Sequence, residues 1–435
     1  MLHLALAELR EAPSVWVGTA TVTGTGGYAT GLVTSLVVTA GDLDGTSALA
    51  LYGISGTALA FTAIAVIVTV SSISELTLAL LRRRLAVWLL AGVSPVGLTA
   101  AVLSQLVIVA AIGATAGAVL AATTASQVVG AALDHVSTLA DVPVHLGGTG
   151  TLVVVGVIVC LTAYAGLRPA LRAGRSVGVD PRRDPPDLSQ AMGASRWVGT
   201  VLTAAALASV VTSAPGSVDP GTALLLVAPL TAAVLTAGAP LFVARWLRHW
   251  TRLVAKNPLP TWFLARAQAG ELLTRSTGPI GPLLVTIALS GGLWATSAAT
   301  RPSPGDGDAG AVGLLVVLAA PLVVTIVGSA ATVVMLDSGR KSTTAVAQNL
   351  GATRRQLISI AVTEIAIIIT TSAALGAICT GATLLTAAWS VSPDAAVAAI
   401  PATIVALGCA SLVCFAIQVA AVIPPVVLST RRLEE

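Results

Sequence analysis

Long apolar runs separated by short polar punctuation organise this chain. A membrane-crossing helix needs about 20 mostly apolar residues, and the pattern supplies ten such stretches, at roughly 14–39, 48–73, 99–125, 149–168, 196–214, 221–245, 280–299, 311–336, 357–388 and 397–427. The first is diluted by Gly24, Gly26, Gly27 and several threonines. Helices in bilayers tolerate such residues because small side chains let backbones pack closely. The pattern predicts an all-α polytopic membrane protein with ten transmembrane helices arranged as 4+2+4. Residues 1–13 contain Glu8, Arg10 and Glu11 with no cleavable apolar core ahead of them, so no signal peptide is expected.

Composition agrees. Of 435 residues, 55% are hydrophobic and 10% charged, and the mean hydropathy is +0.92. Soluble domains carry about 25% charged residues. This chain cannot present a water-compatible surface of that kind, which excludes a soluble enzyme, a disordered chain and a nucleic-acid binder. The lipid bilayer is the expected partner.

The placement of charge sets the orientation. With the N-terminus inside, the cytoplasmic segments hold Arg10; Arg82, Arg83 and Arg84; Arg168 to Arg196; Arg245 to Arg275; Arg340, Lys341, Arg354 and Arg355; and Arg431 and Arg432. Of the basic residues only Arg301 falls outside, while the outer loops hold Asp42, Asp44, Asp134, Asp141, Asp219, Asp306, Asp308 and Asp394. Such segregation is the positive-inside pattern. It predicts a multi-pass protein of a bacterial cell membrane with both termini cytoplasmic. Trp197, Trp246, Trp250 and Trp262 flank inner span ends and Trp294 and Trp389 approach outer ones, as an interfacial aromatic belt does.

The chain repeats itself. Shifted by 259 residues, Leu81–Gly117 aligns without a gap on Arg340–Gly376, with Ala86/Ala345, Val87/Val346, Gly92/Gly351, Leu98/Leu357, Ala114/Ala373 and Gly117/Gly376 identical. Each copy runs from a basic or polar helix through a Gly turn, with Ser94 or Thr353 two positions on, into a long apolar span. An upstream echo, Leu4-Ala5-x-Ala7-Glu8 against Leu264-Ala265-x-Ala267-Gln268, recurs at a shift of 260. The organisation is therefore a first four-span repeat over 1–168, a cytoplasmic linker over 169–195, a two-span insert over 196–245, and a second repeat over 246–435 that opens with an amphipathic elbow helix. Six spans separate the two starts, so both repeats should face the same way, related by a pseudo-twofold axis along the membrane normal rather than by inversion.

These features resemble the FtsX-like permease family, the MacB-type branch of ABC transporters. Its unit is an elbow helix, a span, an external region, a second span, a basic cytoplasmic helix ending in a Gly turn, and two further spans. Leu350-Gly351-Ala352-Thr353-Arg354-Arg355-Gln356-Leu357 followed by Glu364 fits that order closely, and Ala91-Gly92-Val93-Ser94-Pro95 followed by Gln105 more loosely. The resemblance implies a permease that moves an amphiphilic compound (a peptide antibiotic, lipid-like molecule or drug) by export, efflux or extraction from the membrane. It further implies a separate cytoplasmic ATPase homodimer that binds ATP and Mg, two ATPases per permease chain, and no cofactor in the chain itself. The ATPase-coupling residues would be Arg82, Arg83, Arg84, Gly92, Arg340, Lys341, Gly351, Arg354 and Arg355. The short outer segments leave no room for a large external sensor domain. An alternative is a mechanotransmission protein that regulates an external partner, such as a cell-wall hydrolase, without moving substrate. An ion-driven carrier would need paired intramembrane carboxylates, and Glu364 stands alone, with Gln105 as its neutral counterpart.

Other motifs carry less. Ser338-Gly339-Arg340-Lys341-Ser342 lacks the glycine spacing that cradles phosphates, so no catalytic residue and no enzyme activity is expected. Gly24-Thr25-Gly26-Gly27 resembles a dinucleotide fingerprint but lies in a span and is read as helix packing. His3, His135, His145 and His249 have no metal-ligand spacing. Cys160, Cys379, Cys409 and Cys414 sit in apolar runs at irregular intervals and read as reduced thiols.

Overall fold

The computed structural model describes residues 13–42, 45–133, 144–176, 194–216, 220–253, 260–275, 280–300, 319–335 and 351–431. These form α1 (Pro13–Gly41), α2 (Thr46–Leu90), α3 (Pro95–Leu133), α4 (Gly147–Ser176), α5 (Ala194–Ser213), α6 (Pro220–Leu253), α7 (Pro260–Arg275), α8 (Ile280–Ala299), α9 (Ala319–Met335), α10 (Arg354–Ser390) and α11 (Pro393–Arg431). A 3-10 turn, Ala214–Gly216, follows α5. No strand occurs among the described residues.

Among the described residues, eight helices are long and apolar enough to cross a membrane: Leu51–Leu81, Pro95–Ala131, Gly147–Leu171, Trp197–Gly216, Pro220–Ala239, Ile280–Ala299, Arg354–Ser390 and Pro393–Val422. The chain is a multi-pass, all-helical membrane protein. α1 is helical over 29 residues but is not among the eight, which follows from its glycines and threonines. The described part of the 311–336 stretch is the shorter apolar helix α9.

Three boundaries differ from the sequence reading. The second span and the basic helix after it are one uninterrupted helix, α2, of 45 residues. Arg82–Arg84 end the apolar run without ending the helix, because arginine is a good helix former. The linker expected from residue 169 is helical to Ser176, with Pro169 inside α4. Proline has no N–H for the carbonyl four residues back. That carbonyl, Ala165 O, instead accepts the Ser71 hydroxyl of α2 at 3.1 Å. α6 likewise runs on to Leu253, so Trp246 and Trp250 belong to its tail, and the next helix, α7, begins only at Pro260. The elbow expected near the N-terminus lies outside the described residues, as do 177–193 of the linker.

The chain divides into two compact units, Met1–Asp184 with Thr300–Gly328, and Pro185–Ala299 with Ser329–Glu435. In the first, α1 packs along α3, with α2 and α4 against the pair. Its contact with α3 is glycine-mediated. A Cβ on Gly27 would lie 2.6 Å from Ala114 O, and one on Gly117 would lie 2.7 Å from Tyr28 N. This places Gly24–Gly27 in a helix–helix crossing, as the packing interpretation expected. Apolar clusters close both ends of the bundle: Trp16, Leu78, Leu81, Leu85, Leu98 and Leu106 at one, Leu36, Ala40, Leu51, Ala125 and Val129 at the other.

In the second unit, α8 is the central helix, buried along most of its length and touching α6, α10 and α11. Leu224, Ala299, Ala387, Ala396 and Ala399 form one apolar cluster. Trp250 Nε1 donates to Thr371 Oγ1 at 3.2 Å, joining the tail of α6 to α10. α5 rests on α6 and is otherwise almost wholly exposed. Trp197, Trp246, Trp294 and Trp389 are all exposed, with their rings available to lipid.

Candidate coupling site

The two Gly turns of the sequence repeat are built from local chemistry that can be followed atom by atom. α2 ends at Leu90, and Gly92 adopts φ +91°. Gly92 N–H donates to Leu89 O at 3.0 Å and Val93 N–H to Trp88 O at 3.1 Å. These are the paired bonds of a Schellman stop, which needs a left-handed residue at the Gly92 position. Trp88 and Val93, which flank that stop, both pack onto the Trp16–Leu98 cluster. The next helix starts at once. Gly97 N–H donates to Ser94 Oγ at 3.1 Å and Leu98 N–H to Ser94 O at 2.9 Å. Pro95 occupies the first helical position, where its missing N–H costs nothing.

The second turn has the same frame. Gly351 adopts φ +89°. Thr353 caps α10 through a capping box: Gln356 N–H donates to Thr353 Oγ1 at 3.4 Å, and Thr353 N–H to Gln356 Oε1 at 2.9 Å. Leu357 N–H donates to Thr353 O at 3.1 Å. Gly92 and Gly351, Ser94 and Thr353, and the helix starts Pro95 and Arg354 are each 259 positions apart. A Cβ on either glycine would meet nothing within 4 Å, so backbone conformation alone calls for glycine there.

Side-chain chemistry separates the turns. Arg354 and Arg355 are exposed on the first turn of α10. Cations at a helix N-terminus oppose the helix dipole by about 0.3–1 kcal/mol each. Helix stability therefore does not account for them. At the first turn the matching positions are Pro95 and Val96, both exposed, and Arg84 on α2 is exposed nearby in sequence. Arg82 and Arg83 lie on α2, and nothing is described of their side chains. Arg340 and Lys341 lie outside the described residues. The two turns belong to different compact units, and each is described by itself.

The intramembrane polar pair is buried on both helices. Gln105 of α3 and Glu364 of α10 are each 1% exposed. Charged groups within membrane spans normally face a protein interior, and Glu364 does. Cys379 and Cys414 are buried, Cys160 and Cys409 exposed, and all four are free thiols. Among the described residues no group of His, Cys, Asp and Glu could hold a metal ion. The exposed side chains of His145 and Asp42 approach each other, Nε2 to Oδ2 at 3.7 Å.

Sequence reading missed two features. The unbroken α2 joins the turn at Gly92 rigidly to a membrane span, and the hydroxyl of Ser71 fills the bond that Pro169 leaves open. The first could have been found from the absence of any Gly or Pro between Gly56 and Gly92. No sequence signal marks the second. Comparison with protein-family models, with curated proteins and with solved structures returns no match.

Proposed function

We propose that this chain is the transmembrane permease subunit of an ABC transporter of the FtsX-like, MacB-type architecture, with ten spans and two parallel repeats. A separate cytoplasmic ATPase dimer grips the turns at Gly92 and Gly351. It transmits nucleotide-driven closure along α2 and its counterpart in the second repeat, driving export or membrane extraction of an amphiphilic compound. The observation that carries this reading is the pair of rigid, left-handed Gly turns. They have the same hydroxyl cap and the same distance to the following helix, separated by one constant interval. A structure needed only for insertion or orientation would require basic charge, not a duplicated backbone geometry. The exposed Arg354 and Arg355, placed against their helix dipole, are the strongest candidates for direct ATPase contact.

The extensively exposed apolar faces of α5 and α11 support a substrate that arrives laterally from the bilayer. The test is co-purification of the full chain with ABC ATPases co-expressed from the same source, followed by ATP turnover with and without a candidate amphiphile. Stimulated turnover supports the reading. An ATPase that never associates, under conditions where the chain is folded, removes it.

A further inference from the structure

The tail of α6, beyond the span that ends at Ala239, sorts its side chains onto two faces. Val243, Leu247 and Thr251 are buried and Trp250 is half-buried. This face meets the rest of its unit: a Cβ on Gly270 of α7 would lie 3.9 Å from Leu247 Cδ2, and Trp250 bonds Thr371 of α10. The opposite face is exposed. Leu241, Arg245, Arg248 and Arg252 recur there at intervals of four, three and four, which is one stripe of a helix, with exposed Trp246 and His249 beside it. No Asp or Glu occurs between Asp219 and Glu271. The stripe is thus apolar where α6 leaves its span and cationic beyond.

Two contacts set the course of this helix. A Cβ on Gly292 of α8 would collide with Ala228 of α6 and lie 3.6 Å from Thr383 Oγ1 of α10, so Ala228 and Thr383 stand at one level. Trp250 and Thr371 share another. Between those levels α10 advances 12 residues, about 18 Å, while α6 advances 22, about 33 Å. α6 therefore runs obliquely to α10, and Pro229 and Pro240 fall in this stretch, where prolines bend helices. An upright tail would carry Arg252 about 20 Å past Ala239. That is well beyond the headgroup layer, about 5–8 Å deep on each side of the hydrocarbon core. The oblique course brings the arginines back toward that layer, and their long side chains span the rest.

Cations near a helix C-terminus also favour the helix dipole, but that effect falls off within the last turn. It accounts for Arg252 and leaves Arg245 and Arg248 without a reason. We infer that the exposed stripe of the α6 tail is a binding site for an anionic phospholipid. The guanidinium groups of Arg245 and Arg252 take the headgroup phosphate, whose oxygens match the guanidinium fork. Leu241 and Trp246 take the upper acyl chains, and a tryptophan at headgroup level suits that place. The run from apolar to cationic positions on one face favours a lipid over an acidic protein, which would leave Leu241 and Trp246 unused. The inference rests on the membrane-spanning helices and not on an ATPase.

The test uses the full chain purified in a neutral detergent, with dioleoyl phosphatidylglycerol added and bound lipid counted by native mass spectrometry. Phosphatidylglycerol should bind about tenfold or more tighter than phosphatidylcholine of the same chains. Arg245→Gln with Arg252→Gln should weaken it about 30-fold, about fivefold for each arginine. Arg245→Lys with Arg252→Lys should keep most of the binding, since the charge remains. Arg354→Gln with Arg355→Gln removes the same charge from another exposed position and should change binding less than about twofold. Should the double glutamine variant unfold early, Arg245→Gln alone is expected to lose about fivefold. Equal losses at both arginine pairs, or equal binding of the two lipids, overturns the inference. Displacement by inorganic phosphate at the lipid's own concentration overturns it too, because the acyl chains would then contribute nothing. Unchanged phosphatidylglycerol binding without Arg245 and Arg252 assigns the stripe to an acidic protein instead, and the lipid site falls.

Discussion

The helices after Gly92 and Gly351 start from the same backbone frame but differ in charge. At the first, the uncharged Pro95 and Val96 follow the cap, with Pro95 at the first helical position that suits it. At the second, Arg354 and Arg355 follow the cap and oppose its dipole. On the proposed coupling reading, the shared geometry would serve a common mechanical duty, and the charge would mark the side that carries the anionic contact. The two docking positions of a symmetric motor would then be unequal in affinity while equal in shape.

The comparison breaks most readily at the arginines. Arg354→Glu with Arg355→Glu should weaken ATPase binding about 100-fold, close to 2.7 kcal/mol, in a titration of the purified complex. Glu at Pro95 and Val96 should change it far less. Equal losses at both turns would erase the asymmetry.

Next in size is the backbone. Gly351→Val and Gly92→Val should each cost at least about 1–2 kcal/mol of stability, because a left-handed conformation is strained for any side chain and more so for a β-branched one. Both glycines have open space around Cβ, so Gly→Ala should show a milder version of the same loss in thermal unfolding. A variant with unchanged stability would mean that the turn relaxes freely.

Smallest is the cap. Thr353→Ala removes a reciprocal capping box and should cost about 1 kcal/mol, measured as faster amide exchange at Gln356. Ser94→Ala should cost less, because Pro95 already fixes the first helical φ. Thr353→Ser should be close to neutral.

Much of this architecture was legible in the sequence. Hydropathy located eight of the ten expected spans among the described residues, because the bilayer demands length and apolarity together, and the Gly turns with Ser94 and Thr353 two positions on were visible in the repeat. The ends of helices were less legible. Hydropathy falls at Arg82–Arg84 and again at Arg168 while the backbone stays helical, since charge changes the solvent a residue prefers and not the φ and ψ it can adopt. The accommodation of Pro169 depends on Ser71, 98 residues away in sequence, and no local pattern reports it.

The central claim is that both Gly turns face the cytoplasm, where one paired motor can hold them. It is tested most directly by single cysteines at Ser94→Cys and Thr353→Cys in an otherwise cysteine-free chain, treated with a membrane-impermeant maleimide. Both sites should stay unlabelled in intact cells and label fully once the membrane is opened. Labelling of either site from the outside of intact cells would contradict it.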